Sequence, residues 1–221
     1  MDAIEEMKRD AALEAVKSVK DGMIVGLGTG STANYAIREL ARFVRDGKIV
    51  IRCVATSIAT EALAKREGLQ LTNLDNRVPD VAIDGADAIR KDFIVKGGGG
   101  AFTREKIVAY ASKKFIVICD ESKIVGENIR IGVPVEAIPF SLGLVMARLL
   151  DYGSVEIRMD GKERFVTDNG NYVIDLYHQD RIRKEWENKI DSITGVVANG
   201  IFTRKCDIIV GTKNGIKKMK I

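Results

Sequence analysis

Apolar and polar positions change texture once along the chain. Up to about residue 120, short apolar runs alternate with amphipathic stretches in the manner of a doubly wound parallel sheet. Ile4, Met7, Ala11, Leu13, Val16 and Val19 recur at helical spacing and predict a first helix that stops at Asp21 and Gly22. Met23, Ile24 and Val25 predict a short buried strand, and residues 33–44 a second amphipathic helix. The pattern continues with a strand over 48–54, a helix over 58–67 and strands over 69–74 and 78–83. An extended piece over 93–95, a helix over 103–112 and a strand over 114–119 close this series.

From about residue 131 the chain reads as strand, helix, several strands and helix. The strands at 133–136, 154–159, 164–166 and 172–176 are joined in part by turns at Asp160-Gly161 and Asn169-Gly170. A helix over 180–188 and an extended piece over 195–197 follow, and residues 206–210 look like a buried strand returning to the first sheet. The expected architecture is α/β. A doubly wound, mostly parallel, Rossmann-like domain spans 1–130 and 204–221. A smaller inserted α+β domain, ferredoxin-like, spans 131–203.

Composition narrows the function classes. The 221 residues carry 35 Lys+Arg against 31 Asp+Glu, a net charge of +4 that implies no nucleic-acid partner. Lys213, Lys217, Lys218 and Lys220 cluster near the end without interleaved aromatics, which suits protection of a sheet edge better than nucleic-acid binding. No run approaches the roughly 18–20 apolar residues of a membrane span, and the charged N-terminus has no signal-peptide core, so a cytoplasmic protein is expected. Cys53, Cys119 and Cys206 lie far apart and read as buried thiols. The single histidine, His178, reads as a loop residue, so catalysis here would run on carboxylates and lysines.

Three segments carry chemistry. Residues 26–32, Gly-Leu-Gly-Thr-Gly-Ser-Thr, stand between a strand end and a helix start, where glycines and free N–H groups suit a phosphate. Neither a Walker loop nor a dinucleotide fingerprint fits: no Gly-Lys-Ser/Thr follows, Ser31 takes the third glycine position, and the next strand ends in Ala55, Thr56 and Ser57. Tight strand–helix packing is the structural alternative. Asp84 and Asp87 follow an apolar strand in Asp-Gly-Ala-Asp; they could share a crevice, cap and turn the chain, or bind metal. Lys96 and Glu105 flank the glycine run 97–100, whose entropy cost points to a backbone set against a ligand. A cation for an oxyanion and a carboxylate for a proton are what enolisation needs, although Glu105 also suits helix capping.

Together, Gly-Thr-Gly-Ser-Thr at 28–32, Asp-Gly-Ala-Asp at 84–87 and Lys-Gly-Gly-Gly-Gly-Ala-Phe-Thr-Arg-Glu-Lys at 96–106 resemble the ribose-5-phosphate isomerase A family. Val-Thr-Asp-Asn-Gly-Asn at 166–171 and Gly211-Thr212 agree with it, so the resemblance spans the chain. The family usually continues the aspartate motif with Glu, where this chain has Ala88.

The resemblance implies interconversion of ribose 5-phosphate and ribulose 5-phosphate through a cis-enediolate, without metal or organic cofactor. By similarity Glu105 is the base that moves a proton between C2 and C1, and Lys96 with Gly97, Gly98 and Gly99 stabilises charge on oxygen. Asp84 and Asp87, with Gly85 and Ala86, hold sugar hydroxyls, and Asp84 is placed to help open the furanose. Thr29, Gly30, Ser31 and Thr32 line the sugar-phosphate site, with Lys123 as a basic ligand and Lys8 reaching toward the phosphate. The family forms homodimers or homotetramers, and its partner is a small sugar phosphate. A non-catalytic sugar-phosphate-binding regulator is the alternative. A nicotinamide-dependent dehydrogenase is disfavoured by the missing third glycine and ribose carboxylate.

Overall fold

In the computed structural model, which describes residues 2–75, 77–126, 132–178 and 182–221, the first helix owes its place to small residues. α1 (Ala3–Val16) buries Met7, Ala11, Ala12, Ala15 and Val16. Ile4 is exposed and the helix ends at Val16, short of the expected stop. The elements that follow are β1 (Ile24–Leu27), α2 (Ser31–Arg45), β2 (Arg52–Ala55), α3 (Ile58–Arg66), β3 (Val81–Asp84), β4 (Ala88–Ile89), β5 (Ile94–Val95) and α4 (Phe102–Ala111). Next come β6 (Lys114–Asp120), β7 (Gly132–Ala137), α5 (Leu142–Leu149), β8 (Ser154–Ile157), β9 (Met159–Asp160), β10 (Glu163–Arg164) and β11 (Tyr172–Tyr177). α6 (Trp186–Asp191), β12 (Val196–Asn199), β13 (Ile201–Phe202), β14 (Asp207–Thr212) and β15 (Gly215–Lys220) complete the chain.

One unit comprises Met1–Ala86, Arg104–Lys123 and Arg204–Ile221. Its six-stranded sheet has the order β15-β14-β6-β3-β1-β2, parallel except for β15. The parallel strands thus run 2-1-3-4-5 in chain order, a doubly wound arrangement whose direction of growth reverses between β1 and β3. α1 packs on α2 and across β6 and β14. The approach is so close that a Cβ on Gly211 of β14 would lie 1.9 Å from Met7 O, which explains both the glycine and the alanine face of α1. Cys206–Ile221 backbone bonds and the lysine-rich β15 finish the edge, with Lys218 paired to Glu14 and Lys220 to Asp207. The strand expected over 69–74 reduces to a single bridge from Leu71 to Cys53, because only that residue meets the ladder.

The other unit comprises Asp87–Thr103 and Ile124–Thr203. The expected boundaries placed 87–103 and 124–126 with the first unit, whereas their contacts group them with the second. β5 pairs with β13 as well as β4, Ile89 bridges to Ile124, and Ala88, Phe93 and Val95 join the core that holds Val133, Leu149 and Ile201. β7-α5-β8-β11-α6-β12 forms an antiparallel sheet of order β12-β7-β11-β8, the split βαβ arrangement of a ferredoxin-like domain. Its helices cover one face, with Leu142, Val145, Trp186 and Ile190 against Val133, Val135 and Ile174. α6 begins at Trp186, later than expected; residues 180 and 181 of the expected helix lie outside the described residues.

Candidate active site

Within the first unit the loops after β1 and β3 emerge at the point where strand order reverses, the position at which open α/β sheets bind ligands. Their contact is tight. Gly28 N–H donates to Ile83 O at 2.9 Å, and a Cβ on Gly28 would lie 2.6 Å from the Asp84 Cα and 2.2 Å from its carboxylate. Glycine is therefore obligatory there. Asp84, 2% exposed, accepts from Gly85 N–H at 2.7 Å and Thr29 N–H at 3.1 Å through one oxygen, so it ties the two loops together.

Gly30 takes φ +109 and starts α2 without a side-chain cap, so the helix opens on backbone donors of Ser31, Thr32 and Ala33 rather than on a serine or aspartate. Gly30 and Ser31 are exposed and Thr32 is half-buried. Thr29, expected to line the sugar-phosphate site, turns its hydroxyl toward the loop after β2. Its Oγ1 lies 2.8 Å from Thr56 Oγ1 and Ser57 Oγ and 3.1 Å from Thr60 Oγ1. Thr56 and Thr60 in turn donate to Leu27 O and Gly28 O, each at 2.9 Å. These three residues brace the loop from beneath, a role the run of hydroxyls at 56–60 signals only once the strand pairing is known.

Other expected residues of this unit are distributed along its elements. Glu105 is buried in the first turn of α4. Lys123 ends the short 3-10 turn Glu121–Lys123, which Asp120 shapes: its buried carboxylate accepts from Ser122 N–H at 3.0 Å and from the Ser122 hydroxyl. Lys8 on α1 is turned to its own helix, 2.7 Å from Glu5 Oε1. The Lys8 ammonium and the Tyr35 hydroxyl hold the Glu5 carboxyl below its usual range, and Glu5 pushes the Tyr35 phenol up. The three cysteines are free and buried. Burial pushes Cys53 and Cys119 up to about 12 and Cys206 to about 11, which leaves no thiolate near neutral pH.

In the second unit β5 leads into Lys96, whose N–H donates to Gly200 O at 2.9 Å. Lys96 is 3% exposed and its Nζ sits 5.8 Å from the centroid of the Phe202 ring, so the ammonium is held in a largely dry setting. The glycine run then forms a turn closed by Gly100 N–H to Gly97 O at 3.0 Å. Gly97 (φ +109) and Gly100 (φ +77) are buried, whereas Gly98 and Gly99 face outward. Asp87 Oδ2 accepts from Gly98 N–H at 2.7 Å, so the second aspartate of the motif meets the glycine loop.

Two groups escaped the sequence reading. Glu136, fully buried on β7, accepts from the Thr103 hydroxyl, from Thr167 Oγ1 at 2.9 Å, from Asn169 Nδ2 at 3.1 Å and from Asn171 Nδ2 at 2.8 Å. It gives the Val-Thr-Asp-Asn-Gly-Asn segment its task, which is to hold Thr103 in the first turn of α4, two residues before Glu105. The available signal was a charged residue inside an apolar strand. Arg158 is the second: it donates to Gly97 O at 2.7 Å and to Gly98 O at 3.2 Å. Nothing in its local sequence marks it. His178 packs edge-on to Trp186, 4.7 Å between ring centroids.

A family model described as Ribose 5-phosphate isomerase A (phosphoriboisomerase A) matches residues 52–215. The chain is 43% identical to the Ribose-5-phosphate isomerase A of Methanocaldococcus jannaschii, over 98% of each chain. The solved structure of ribose 5-phosphate isomerase A from that organism superposes with a TM-score of 0.94, covering 98% of this chain and 99% of that one. A D-ribose-5-phosphate isomerase solved in complex with phospho-erythronic acid gives the same TM-score at 39% identity, covering 99% of both chains.

Proposed function

The chain belongs to the ribose 5-phosphate isomerase A family, and from that premise we propose that it interconverts D-ribose 5-phosphate and D-ribulose 5-phosphate through a cis-enediolate. The observation that carries this reading is the tie between the loops after β1 and β3. Asp84 joins a glycine-rich turn to the aspartate motif where the sheet order reverses, and α2 opens there on uncapped backbone donors. Such a helix start suits a phosphate.

In this reading Glu105 removes the proton from C2 of the open-chain aldose while negative charge grows on the carbonyl oxygen at C1. The same carboxyl then returns that proton to C1, while the proton of the C2 hydroxyl passes to the oxygen on C1, leaving a ketone at C2 and a hydroxyl at C1, so no atom is lost. Burial keeps the carboxylate poorly solvated, which favours proton abstraction from carbon. Lys96 and the amides of Gly97, Gly98 and Gly99 stabilise the oxyanion, and a lysine held in a dry setting acts more strongly there than in water. Asp84 and Asp87 bind sugar hydroxyls, with Asp84 assisting ring opening. Gly30, Ser31, Thr32 and Lys123 bind the phosphate end, and Thr29 contributes through the loop it braces. Neither metal nor organic cofactor takes part.

The same reading makes the protein a cytoplasmic homodimer or homotetramer, with the second unit as its lid or oligomerisation domain. Among the described residues no helix is long and apolar enough to cross a membrane. Turnover of ribose 5-phosphate in D2O tests the chemistry. An enediolate path brings solvent deuterium to C1 of ribulose 5-phosphate, and an intramolecular hydride shift leaves the product free of it. Binding without turnover would instead make the protein a sugar-phosphate-binding regulator.

A further inference from the structure

The glycine loop is gripped from one side by residues some sixty positions further along the chain. Arg158, between β8 and β9, is fixed in the sheet by its N–H to Val173 O at 2.8 Å and by Phe165 N–H to its own carbonyl at 2.9 Å. Its guanidinium meets Asp175 of β11 in a two-pronged pair, Nε to Oδ2 at 2.9 Å and Nη2 to Oδ1 at 2.5 Å. From that anchor Nη1 reaches the carbonyls of Gly97 and Gly98. The Phe165 ring, 5.9 Å from the guanidinium carbon, closes the arrangement by filling the space in which a Cβ on Gly100 would lie, 2.4 Å from the ring.

A trans peptide points its C=O and N–H in opposite directions, and the chain has no cis peptide among its described residues. Holding Gly97 O therefore sets the direction of the Gly98 N–H, which reaches Asp87. Holding Gly98 O turns the Gly99 N–H away from Arg158. That is the open side: Gly99 is exposed, and a Cβ there would meet nothing within 4 Å. Four consecutive glycines have the most backbone freedom a chain can have, so without an anchor these peptide planes would rotate. A positive charge on the carbonyl side also polarises the peptide and strengthens its N–H as a donor.

We propose that Arg158 is a positioning residue for the isomerisation, fixing the Gly98–Gly99 peptide so that the Gly99 N–H meets the oxyanion of the enediolate. The proposal rests on the function proposed above. Asp175 aims the guanidinium and Phe165 keeps the loop against it. Lysine cannot substitute, because an ammonium lacks the planar fork that serves Asp175 and two carbonyls at once.

The test compares wild type with Arg158→Met, Arg158→Lys and Asp175→Asn, all checked for folding by thermal melting. Two four-carbon probes separate oxyanion binding from phosphate binding. Phospho-erythronic acid carries a carboxylate where the enediolate charge develops, and erythritol 4-phosphate carries a neutral hydroxymethyl group there. Misaligning one oxyanion donor should lower kcat about 100-fold in Arg158→Met, in line with the loss of such a donor elsewhere, with KM changed less than about threefold. Affinity for phospho-erythronic acid should fall at least about tenfold while erythritol 4-phosphate binds as before, and Arg158→Lys should recover little. Asp175→Asn should show the same selective loss, and it carries the test should Arg158→Met fail to fold. A folded variant with wild-type kcat, or one that loses both probes equally, overturns the proposal. A wild-type chain without isomerase activity overturns the function reading instead, and that is seen before any substitution is made.

Discussion

An alanine scan of the glycine loop separates what the fold needs from what the chemistry needs. At Gly97 an added Cβ would lie 2.6 Å from Phe102 Cδ1 and from Pro134 Cγ, and the backbone sits at φ +109. The strained backbone costs about 1–3 kcal/mol and the overpacking another 1–3. Phe102 is fully buried and cannot swing aside. At Gly100 the φ of +77 costs about 1–2 kcal/mol for an L-residue, but the ring in the way belongs to half-buried Phe165 and can move. Gly98 and Gly99 take no positive φ. A Cβ on Gly98 would touch only the end of the Asp87 side chain, at 3.0 Å, and one on Gly99 would touch nothing. For a chain of this length each kcal/mol is worth about 2–4 °C in Tm. Gly97→Ala should therefore lower Tm by roughly 5–20 °C and Gly100→Ala by roughly 2–8 °C, whereas Gly99→Ala should leave it unchanged or slightly raised through the unfolded chain. Yet Gly99→Ala should lower kcat/KM at least about tenfold, because the methyl group stands beside an amide assigned to the oxyanion. Calorimetric melting of all four variants, with coupled isomerase assays below the lowest Tm, reads both effects. Equal destabilisation at Gly97 and Gly99, or a Gly99→Ala enzyme of full activity, would show that the loop does not divide its structural and chemical roles in this way.

Glu136→Gln keeps the shape but turns one acceptor into a donor among Thr103, Thr167, Asn169 and Asn171. A loss of about 2–3 kcal/mol is expected, roughly 4–12 °C in a melting experiment. Asp80 accepts from Lys113 Nζ at 2.7 Å and Ile24 N–H at 2.9 Å, and these bonds, the lysine first, hold its carboxyl below the ordinary 3.8. A depressed carboxylate stabilises above its unfolded pKa and loses that contribution as pH falls through the folded value. Asp80→Asn should thus melt a few degrees below wild type at pH 7, about 1 kcal/mol, and the gap should narrow only below pH 3.8. Lys123→Ala should raise KM for ribose 5-phosphate with kcat nearly unchanged, since a phosphate contact made equally in ground and transition states is uniform binding; steady-state kinetics decides it.

What was legible in the sequence was local. The glycine-rich turn at 26–32, the apolar run into Asp84 and the helix after Gly100 are each set by neighbours in the chain, and their placement followed. The alanine face of α1 was not legible, because its reason is Gly211, two hundred positions away, where backbone meets backbone. Nor was the membership of residues 87–103, which depends on Ile94 pairing with Phe202. The site divides in the same way. Asp84, Lys96 and Glu105 stand in motifs, whereas Glu136 and Asp175 are single charges in strands and Arg158 a single charge between two strands. Only strand register shows which face each occupies, and a register of this kind is written in long-range pairing rather than in spacing. The partners of Thr29 were not legible either, because Thr56 and Ser57 come from the end of the next strand.

In the proposed reaction a buried carboxylate on α4 moves the proton without help from metal or nucleotide. Formation of ribulose 5-phosphate from ribose 5-phosphate by wild type and Glu105→Gln, with EDTA present and no nucleotide added, tests it most directly. Wild-type turnover should be undiminished in EDTA, with kcat at least about 10²–10⁴-fold lower in Glu105→Gln and substrate binding nearly unchanged. Turnover that EDTA abolishes, or a Glu105→Gln enzyme with near-wild-type kcat, would contradict it.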